Sequence, residues 1–389
     1  MAMRTCNRLY IAGALLVLAF PQCKKPYDPV ALTKGDNYLV VDGFIDTSPN
    51  GVTTIILSRT KNLTDTVVNI PERNAAVSVQ NQSGTTYPLH EQGSDGNYIS
   101  NPLQLNKSDR YKIVITTANG KQYMSDLVAA RQTPAVDSIS WRQDSLGVHV
   151  FANTHDPSNT TRYYRWQYIQ TWEYHAQLQT PWGLNGNTIY VRDPVTEQTF
   201  ICYRTTPSTD VLLGTSAALS QDVISQAPLF TVGPNDTTLA QRMSIQVKQY
   251  ALTPEAYLYW QIIKKNSQQL GTLFDLQPSQ LEGNIHSTDN AGEPVVGFIS
   301  AGTMEEKRIF ISVFDLRDWQ TPPGTYNCIV LDIPTNPVDF SIWSYPDPDY
   351  VPWYFSGGSL RIAKKVCIDC RLSGGYHHQT FFLVKRSGN

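Results

Sequence analysis

The residues best suited to chemistry in this chain are cysteines near its C-terminus. Cys367 and Cys370 form a C-x-x-C pair, and His377 and His378 follow. Thiolates and imidazoles together can hold a tetrahedral zinc ion, and a C-x-x-C pair at a strand-to-helix turn can be a redox centre. The spacing to the histidines is loose, no second C-x-x-C occurs, and residues 371–375 read as a turn. We therefore predict neither a metal nor a cofactor here.

The N-terminus reads as an export signal that ends at a cysteine. Two arginines precede an almost wholly apolar run at 9–20, which is shorter than the ~20 residues that span a bilayer. Cys23 follows directly and indicates lipid attachment to its thiol. We predict a signal peptide over 1–22 and a lipidated tether over 23–36. Because the three residues before Cys23 are not small, a plain secretory signal is the alternative.

Export favours disulfide bonds over zinc or free thiols. An even number of cysteines follows the tether, and an oxidising compartment permits them to pair. They are Cys202, Cys328, Cys367 and Cys370. We predict that Cys328 pairs with Cys367 or with Cys370. Cys202 lies in an apolar strand and can simply be buried.

Composition and charge are typical of an extracytoplasmic β-protein. The net charge is −2, and no basic cluster is present, so nucleic acid is not an expected partner. Charged residues make up 16%, whereas the chain has 21 Tyr and 8 Trp. The part that follows the signal is longer than one core usually supports, which predicts two domains.

Short alternating strands predict an N-terminal β-sandwich over 37–132. They are separated by Gly, Asn and Pro at roughly ten-residue spacing, as in a sandwich fold. The predicted strands are 38–45, 53–58, 75–80, 87–90, 98–99, 111–117 and 121–125.

After a linker at 132–134, a second series of strands has a fibronectin-III-like rhythm. The predicted strands are 136–141, 147–152, 162–174, 200–204, 243–252, 294–301 and 307–314. Trp166 shares a face of the long third strand with Tyr164 and Tyr168, which is usual core material. We predict an immunoglobulin- or fibronectin-III-like domain over 133–389, with long loops and a loop-rich C-terminal region.

One helix interrupts this β pattern near 254–270. Thr253 is a candidate N-cap, Pro254 fits the first helical position, and Gly271 fits the stop. We interpret the helix as packing over the sandwich or at its end.

An aromatic, proline-containing segment at 343–355 is the candidate ligand site. Flat rings stack on sugars or on partner surfaces at low entropic cost. The candidate residues are Trp343, Tyr345, Tyr350, Trp353 and Tyr354. The alternative is a stiffened loop that tucks its rings against the domain.

Motifs of hydrolases are missing from the sequence. It contains no G-x-S-x-G, no H-E-x-x-H and no Gly-rich phosphate loop. The acidic pairs Asp289/Glu293 and Asp347/Asp349 lie in turn contexts, where Asp is favoured for local hydrogen bonding. We therefore predict no enzymatic activity.

Ordered stretches over almost the whole mature chain resemble one family. They are NYLVVDGF at 37–44, RMSIQVKQYAL at 242–252, TPEAYLYW at 253–260, Lys265-Asn266, Gly271, Phe274-Asp275, QPS at 277–279, GNIH at 283–286, KRIFI at 307–311, CIDCR at 367–371 and Gly374-Gly375. With these stretches the chain resembles the Bacteroidetes lipoproteins of domain-of-unknown-function family 4249. Where the family often has a further cysteine, this chain has Ser287, which leaves the pairing of Cys202 open. His377 and His378 stand where a Pro-aromatic ending is common.

The resemblance implies an outer-membrane lipoprotein encoded beside a TonB-dependent receptor, and it implies no activity. We expect a non-enzymatic cell-envelope lipoprotein, on the cell surface or the periplasmic face, that is an accessory or ligand-binding partner of such a β-barrel receptor in nutrient uptake. It would present a glycan or a peptide to the receptor. A structural or adhesive surface module is the alternative, and an envelope hydrolase is less favoured.

Overall fold

The computed structural model describes residues 37–60, 70–268, 283–320, 327–334, 347–356 and 358–374. Over these ranges the chain is mainly β, as predicted, and no helix in them is long and apolar enough to cross a membrane. The strands are β1 (Leu39–Asp46), β2 (Thr54–Arg59), β3 (Ile70–Pro71), β4 (Ala76–Asn81), β5 (Thr86–Gln92), β6 (Asn97–Ser100), β7 (Arg110–Thr116), β8 (Gln122–Ser125), β9 (Val128–Arg131), β10 (Val136–Asp144), β11 (Gly147–Asp156), β12 (Tyr163–His175), β13 (Trp182–Asn185), β14 (Thr188–Val191), β15 (Ile201–Pro207), β16 (Leu212–Thr215), β17 (Asp222–Val232), β18 (Arg242–Ala251), β19 (Ile285–Ser287), β20 (Val296–Gly297), β21 (Ser300–Gly302), β22 (Met304–Ser312), β23 (Leu331–Pro334), β24 (Tyr350–Ser356) and β25 (Ser359–Lys364). The helices are α1 (Pro254–Gln268) and α2 (Lys365–Ile368), with 3-10 turns at Thr237–Leu239, Val313–Asp315 and Cys370–Ser373.

The first body is one sheet whose strands close into a ring. Neighbouring strands follow the order β7, β4, β5, β6, β2, β1, β21 and β9, and β9 pairs again with β7. Alternating residues of these strands form one core, which includes Leu39, Ile55, Tyr98 and Ile113. The sandwich predicted over 37–132 is therefore a closed sheet instead.

The ring is completed by a segment that lies far away in the sequence. β21 is parallel to β1, with Ser300 opposite Phe44, and parallel to β9, with Ala301 opposite Ala130. The sequence pattern assigns the strand at 294–301 to the second domain, because strands usually neighbour those next to them in sequence. The chain instead leaves the first body after β9, builds most of the second body and returns through β19, β20 and β21.

The second body consists of two sheets around one core. One sheet has the order β10, β11 and β17, and the other has β15, β12, β18 and β22, with β16 paired to β12. Val150 from the first sheet and Trp166 and Ile245 from the second belong to the same buried cluster. Trp166 is 1% exposed, which confirms its predicted place in the core.

Polar groups inside the second body are paired with one another. Trp166 Nε1 donates to Gln249 Oε1 at 2.8 Å, and Gln249 Nε2 donates to Pro134 O and Thr154 Oγ1 at 2.8 and 3.0 Å. The carboxylate of the buried Asp222 accepts hydrogen bonds from the hydroxyl groups of Tyr164 and Ser216. Because an unpaired buried polar group is destabilising, these pairs fix how the two sheets face each other.

The turn after β11 is organised around the Asp156 carboxylate. Its two oxygens accept five hydrogen bonds, from the backbone and hydroxyl groups of Ser158 and Thr160 and from the backbone of Thr161. Burial acts to raise the pKa of Asp156, but these hydrogen bonds outweigh it and hold the pKa well below its ordinary value. The ionised form therefore stabilises the folded state.

We expect Asp156→Asn to lower the free energy of unfolding by about 3 kcal/mol at pH 7. Because the folded-state pKa is depressed, the contribution is complete above the unfolded pKa of about 3.9 and is lost as pH falls through the folded value. The gap between wild type and variant should thus narrow from pH 7 to pH 3 in urea unfolding. Asp95→Asn, at an exposed turn, is the control. An equal gap at both pH values would contradict the prediction.

Helix α1 begins where its sequence signals place it. Thr253 Oγ1 accepts a hydrogen bond from Ala256 N at 3.2 Å, and Pro254 is the first helical residue. Tyr259 contacts Phe298, which lies between β20 and β21, with ring centroids 5.3 Å apart. The apolar cluster around the helix contains residues of both bodies. The helix therefore packs at the junction of the two bodies and not only over the second.

The C-terminal region contains a small sheet where loops were predicted. β25 lies between β23 and β24, and the hairpin of β13 and β14 packs beside them. Pro352 lies in β24 next to a register shift between Pro352 and Tyr354. Prolines are tolerated in strands at edges and bulges, so Pro352 is compatible with this edge strand.

Candidate functional site

A cavity of about 420 Å³ lies where the hairpin β13–β14, the start of β15 and β24 meet. Three short stretches line it, at 179–181, 192–194 and 198–201, together with Tyr354. Its wall is mostly apolar, because Pro181, Phe200 and the ring of Tyr354 contribute to it. Concave apolar sites with a few polar groups are the usual form of small-ligand sites.

Tyr354 and its neighbour Trp353 have different roles. The Trp353 indole donates to Gln179 O at 2.9 Å, and Thr180 Oγ1 donates to Trp353 O at 2.9 Å. Trp353 also packs against a buried apolar cluster. Tyr354, by contrast, is 51% exposed at the cavity. Trp353 lies at the register shift of β24 and is half-buried by these contacts, whereas Tyr354 is exposed.

The other aromatic candidates are not part of the cavity wall that the structure describes. Tyr350 is half-buried against Leu360 and Ile362, and Lys364 Nζ lies 5.8 Å from its ring centroid. This is the tucked arrangement that was the alternative for the segment. Trp343 and Tyr345 lie outside the described residues, as does the predicted lipidation site, Cys23.

Arg192 is a half-buried cation at the wall of the cavity. One of its N–H groups, on Nη1, donates to Thr199 Oγ1 at 2.6 Å, and Thr199 Oγ1 donates to Ile368 O at 2.7 Å. Among the described residues, no carboxylate oxygen lies within 4.0 Å of its guanidinium nitrogens. Burial lowers the pKa of Arg192, while Asp369 acts in the opposite direction. Asp369 itself pairs with Arg371 at 2.6 Å.

Other polar side chains at the cavity are occupied by the local backbone. Asp193 Oδ1 accepts from Thr196 N at 2.7 Å and Val195 N at 2.9 Å, and these hydrogen bonds lower the pKa of Asp193. Gln198 Oε1 accepts from Ile201 N at 2.8 Å. Such bonds are typical of turns. Arg192 is thus the charged group with spare donors at this wall.

Two disulfides hold the cavity region together. Cys328 pairs with Cys367, one of the two predicted pairings, and Cys202 pairs with Cys370, which the sequence does not indicate. The C-x-x-C cysteines therefore bond to separate partners. Beside them, Cys370 N donates to Thr199 O at 3.0 Å. His377 and His378 lie outside the described residues.

A smaller cavity of about 210 Å³ lies between the two bodies. At its wall, the Arg165 guanidinium lies 3.6 Å from the centroid of the Trp260 ring. Burial lowers the pKa of Arg165, and the Asp42 carboxylate acts to raise it. Phe44 and Tyr250 touch across the same junction, with centroids 4.9 Å apart. We interpret this cluster as packing, because its arginine already has an aromatic partner and a nearby carboxylate.

The acidic residues considered for hydrolysis are held in structural hydrogen bonds. Asp289 accepts from a backbone N–H of β8 at 2.8 Å, and Glu293 accepts from Tyr123 OH at 2.7 Å. Asp347 accepts from Asp349 N at 3.0 Å within a turn. These hydrogen bonds account for the placement of the Asp289, Glu293 and Asp347 carboxylates as parts of turns and strand contacts.

A family model described as "Domain of unknown function (DUF4249)" matches residues 24–308. No curated protein matches the sequence. A two-domain fibronectin type-III segment from chicken tenascin is 13% identical over 56% of this chain and 93% of its own, with a TM-score of 0.17. A structure of manganese lipoxygenase of Gaeumannomyces graminis, with part of zonadhesin of Komagataella pastoris, is 7% identical over 56% and 89%, with a TM-score of 0.17. At these TM-scores, neither likeness carries an argument.

Proposed function

Because this chain belongs to the DUF4249 family, whose description assigns no activity, we propose a function from its own residues. It is a non-enzymatic, ligand-binding lipoprotein of the cell envelope, anchored through Cys23, that serves a TonB-dependent outer-membrane receptor in nutrient uptake. In this proposal the second body is a fibronectin-III-like sandwich that carries the ligand site at one end.

The observation that carries the proposal is the exposed Tyr354 ring over the cavity of about 420 Å³. A half-exposed aromatic ring beside a concave, mostly apolar wall suits a flat ligand face. The cavity volume lies within the range of small-ligand sites, roughly 300–1,000 Å³. Neighbouring Trp353 fixes the strand, so Tyr354 is held in place before a ligand arrives.

The envelope location is supported by the cysteines. The described residues form two disulfides. Disulfides persist in oxidising compartments and are rare in the cytosol. The N-terminal sequence, with its apolar run and Cys23, supports lipidation. A pull-down from detergent-solubilised outer membrane tests the partner. Co-purification of a large β-barrel receptor would support the transport role, whereas capture of surface polymers alone would favour an adhesive module.

We expect Tyr354→Ala to weaken ligand binding about tenfold, since an aromatic contact contributes about 1.4 kcal/mol including its buried area. Binding is measured by calorimetry on a panel of glycans and short peptides. Phe314→Ala is the matched control, because Phe314 is 92% exposed and does not line the cavity. Unchanged affinity in Tyr354→Ala would remove this cavity from the proposal.

A further inference from the structure

We propose that the cavity binds a carboxylate attached to a flat apolar group, with Arg192 as the residue that recognises the carboxylate. This inference rests on the proposed function and names the ligand class of the same site. Arg192 is the charged group at the cavity wall whose N–H donors are not all used in described hydrogen bonds.

Arg192 is held in place but is not saturated. A guanidinium has five N–H donors, and the described contacts use one of them, from Nη1 to Thr199 Oγ1. Thr199 is itself fixed, because its hydroxyl donates to Ile368 O. The guanidinium is thus oriented by a rigid neighbour while the remaining donors have no described acceptor. A planar fork of this kind matches a carboxylate in a bidentate way.

Arg192 is half-buried and has no described ion-pair partner, so the site favours a negatively charged ligand. Removing a cation from water is unfavourable unless a counter-charge compensates it. Asp369, the acid that acts most strongly on the pKa of Arg192, is paired with Arg371, and Asp193 accepts hydrogen bonds from its own turn. A ligand carboxylate would give Arg192 a direct ion-pair partner.

The remaining charges argue against a polyanion. Asp193 lies in the cavity wall, and Glu197 and Asp369 act electrostatically on Arg192. Arg371 neutralises Asp369, so a phosphate or a sulfated polymer would bring two or more negative charges to one guanidinium beside the Asp193 and Glu197 carboxylates, and repulsion would offset the gain. A single carboxylate brings one charge.

The apolar wall defines the other half of the ligand. Pro181, Pro194 and Phe200 line the cavity, and Tyr354 closes one side. Flat apolar groups pack well on prolines and aromatic rings. Both a peptide with a C-terminal aromatic residue and a sugar acid provide a carboxylate beside a flat face, so the experiment compares the two sources.

The test uses two matched pairs of probes with the full mature chain. N-acetyl-phenylalanine is compared with N-acetyl-phenylalaninamide, and monomeric galacturonic acid with galactose, by calorimetry at low salt. We expect at least one acid to bind about tenfold more tightly than its neutral partner, because hydrogen bonds between a guanidinium and a carboxylate are stronger than those to a neutral group. The pair that shows the preference identifies the source.

Substitutions assign the preference to Arg192. We expect Arg192→Gln to abolish the acid preference and Arg192→Lys to retain part of it, which also guards against a folding defect in the first variant. Arg73→Gln is the control, since Arg73 is an exposed arginine of the first body that pairs with Glu91 at 3.4 Å. Equal binding of acid and neutral probes by the wild type would overturn the carboxylate inference and leave the ligand site in place. No binding of any probe would count against both.

Discussion

Replacing Cys202 and Cys370 with alanine should lower the free energy of unfolding by about 5 kcal/mol. The bond joins residues 168 positions apart, and in the chain-entropy model a loop of that length gains most from closure. Both cysteines are almost fully buried, at 0% and 1% exposure. Urea unfolding of the oxidised variant and wild type measures the difference.

The second disulfide provides the matched comparison. Cys328 and Cys367 are 39 positions apart, so their replacement should cost about 4 kcal/mol by the same relation. We also expect loss of the Cys202–Cys370 bond to weaken ligand binding, because the backbone bond from Cys370 to Thr199 lies beside it. A wild-type protein whose stability does not respond to reductant would contradict both expectations.

Trp166→Ala should destabilise the second body by about 5 kcal/mol. Truncating a buried tryptophan leaves a cavity, which usually costs about 3–5 kcal/mol. The change also removes the donor to Gln249 Oε1, and an orphaned buried acceptor adds about 1–3 kcal/mol. Differential scanning calorimetry or urea unfolding checks the loss.

Trp172 lies on the same strand and face and is only half-buried, which makes Trp172→Ala the control. Its loss should be clearly smaller, because less apolar surface leaves contact and no buried acceptor in the described network depends on it. If both variants lost the same free energy of unfolding, burial of the tryptophan would not explain the destabilisation.

The parts of the fold that the sequence predicts are those set by local pattern. Alternation marks β12 and β18, and capping residues mark the start of α1. The closing strand β21 is short and pairs with β1 and β9 across a long interval. Nothing in its own residues specifies those partners, so the pairing depends on the completed second body.

Of the candidate site, the sequence predicts Tyr354, which has a local signal, but not Arg192, whose position depends on tertiary packing. An aromatic, proline-containing context marks Tyr354 as a candidate, although Tyr354 lies in strand β24 and not in a loop. Arg192 lies in a turn-rich segment with no motif. Its importance comes from burial beside Thr199 and from the absence of a described ion pair, which only tertiary packing determines. The Cys202–Cys370 bond likewise needed the fold to bring its ends together.

The late arrival of β21 also orders events during biosynthesis. A nascent chain that emerges from its N-terminus produces β1 and β9 before the strand that lies between them. Until residue 302 has emerged, both strands have an unpaired edge, and such edges recruit other chains. Synthesis from the N-terminus therefore leaves an interval in which these edges can pair with other chains, and it lasts while the whole intervening segment is made.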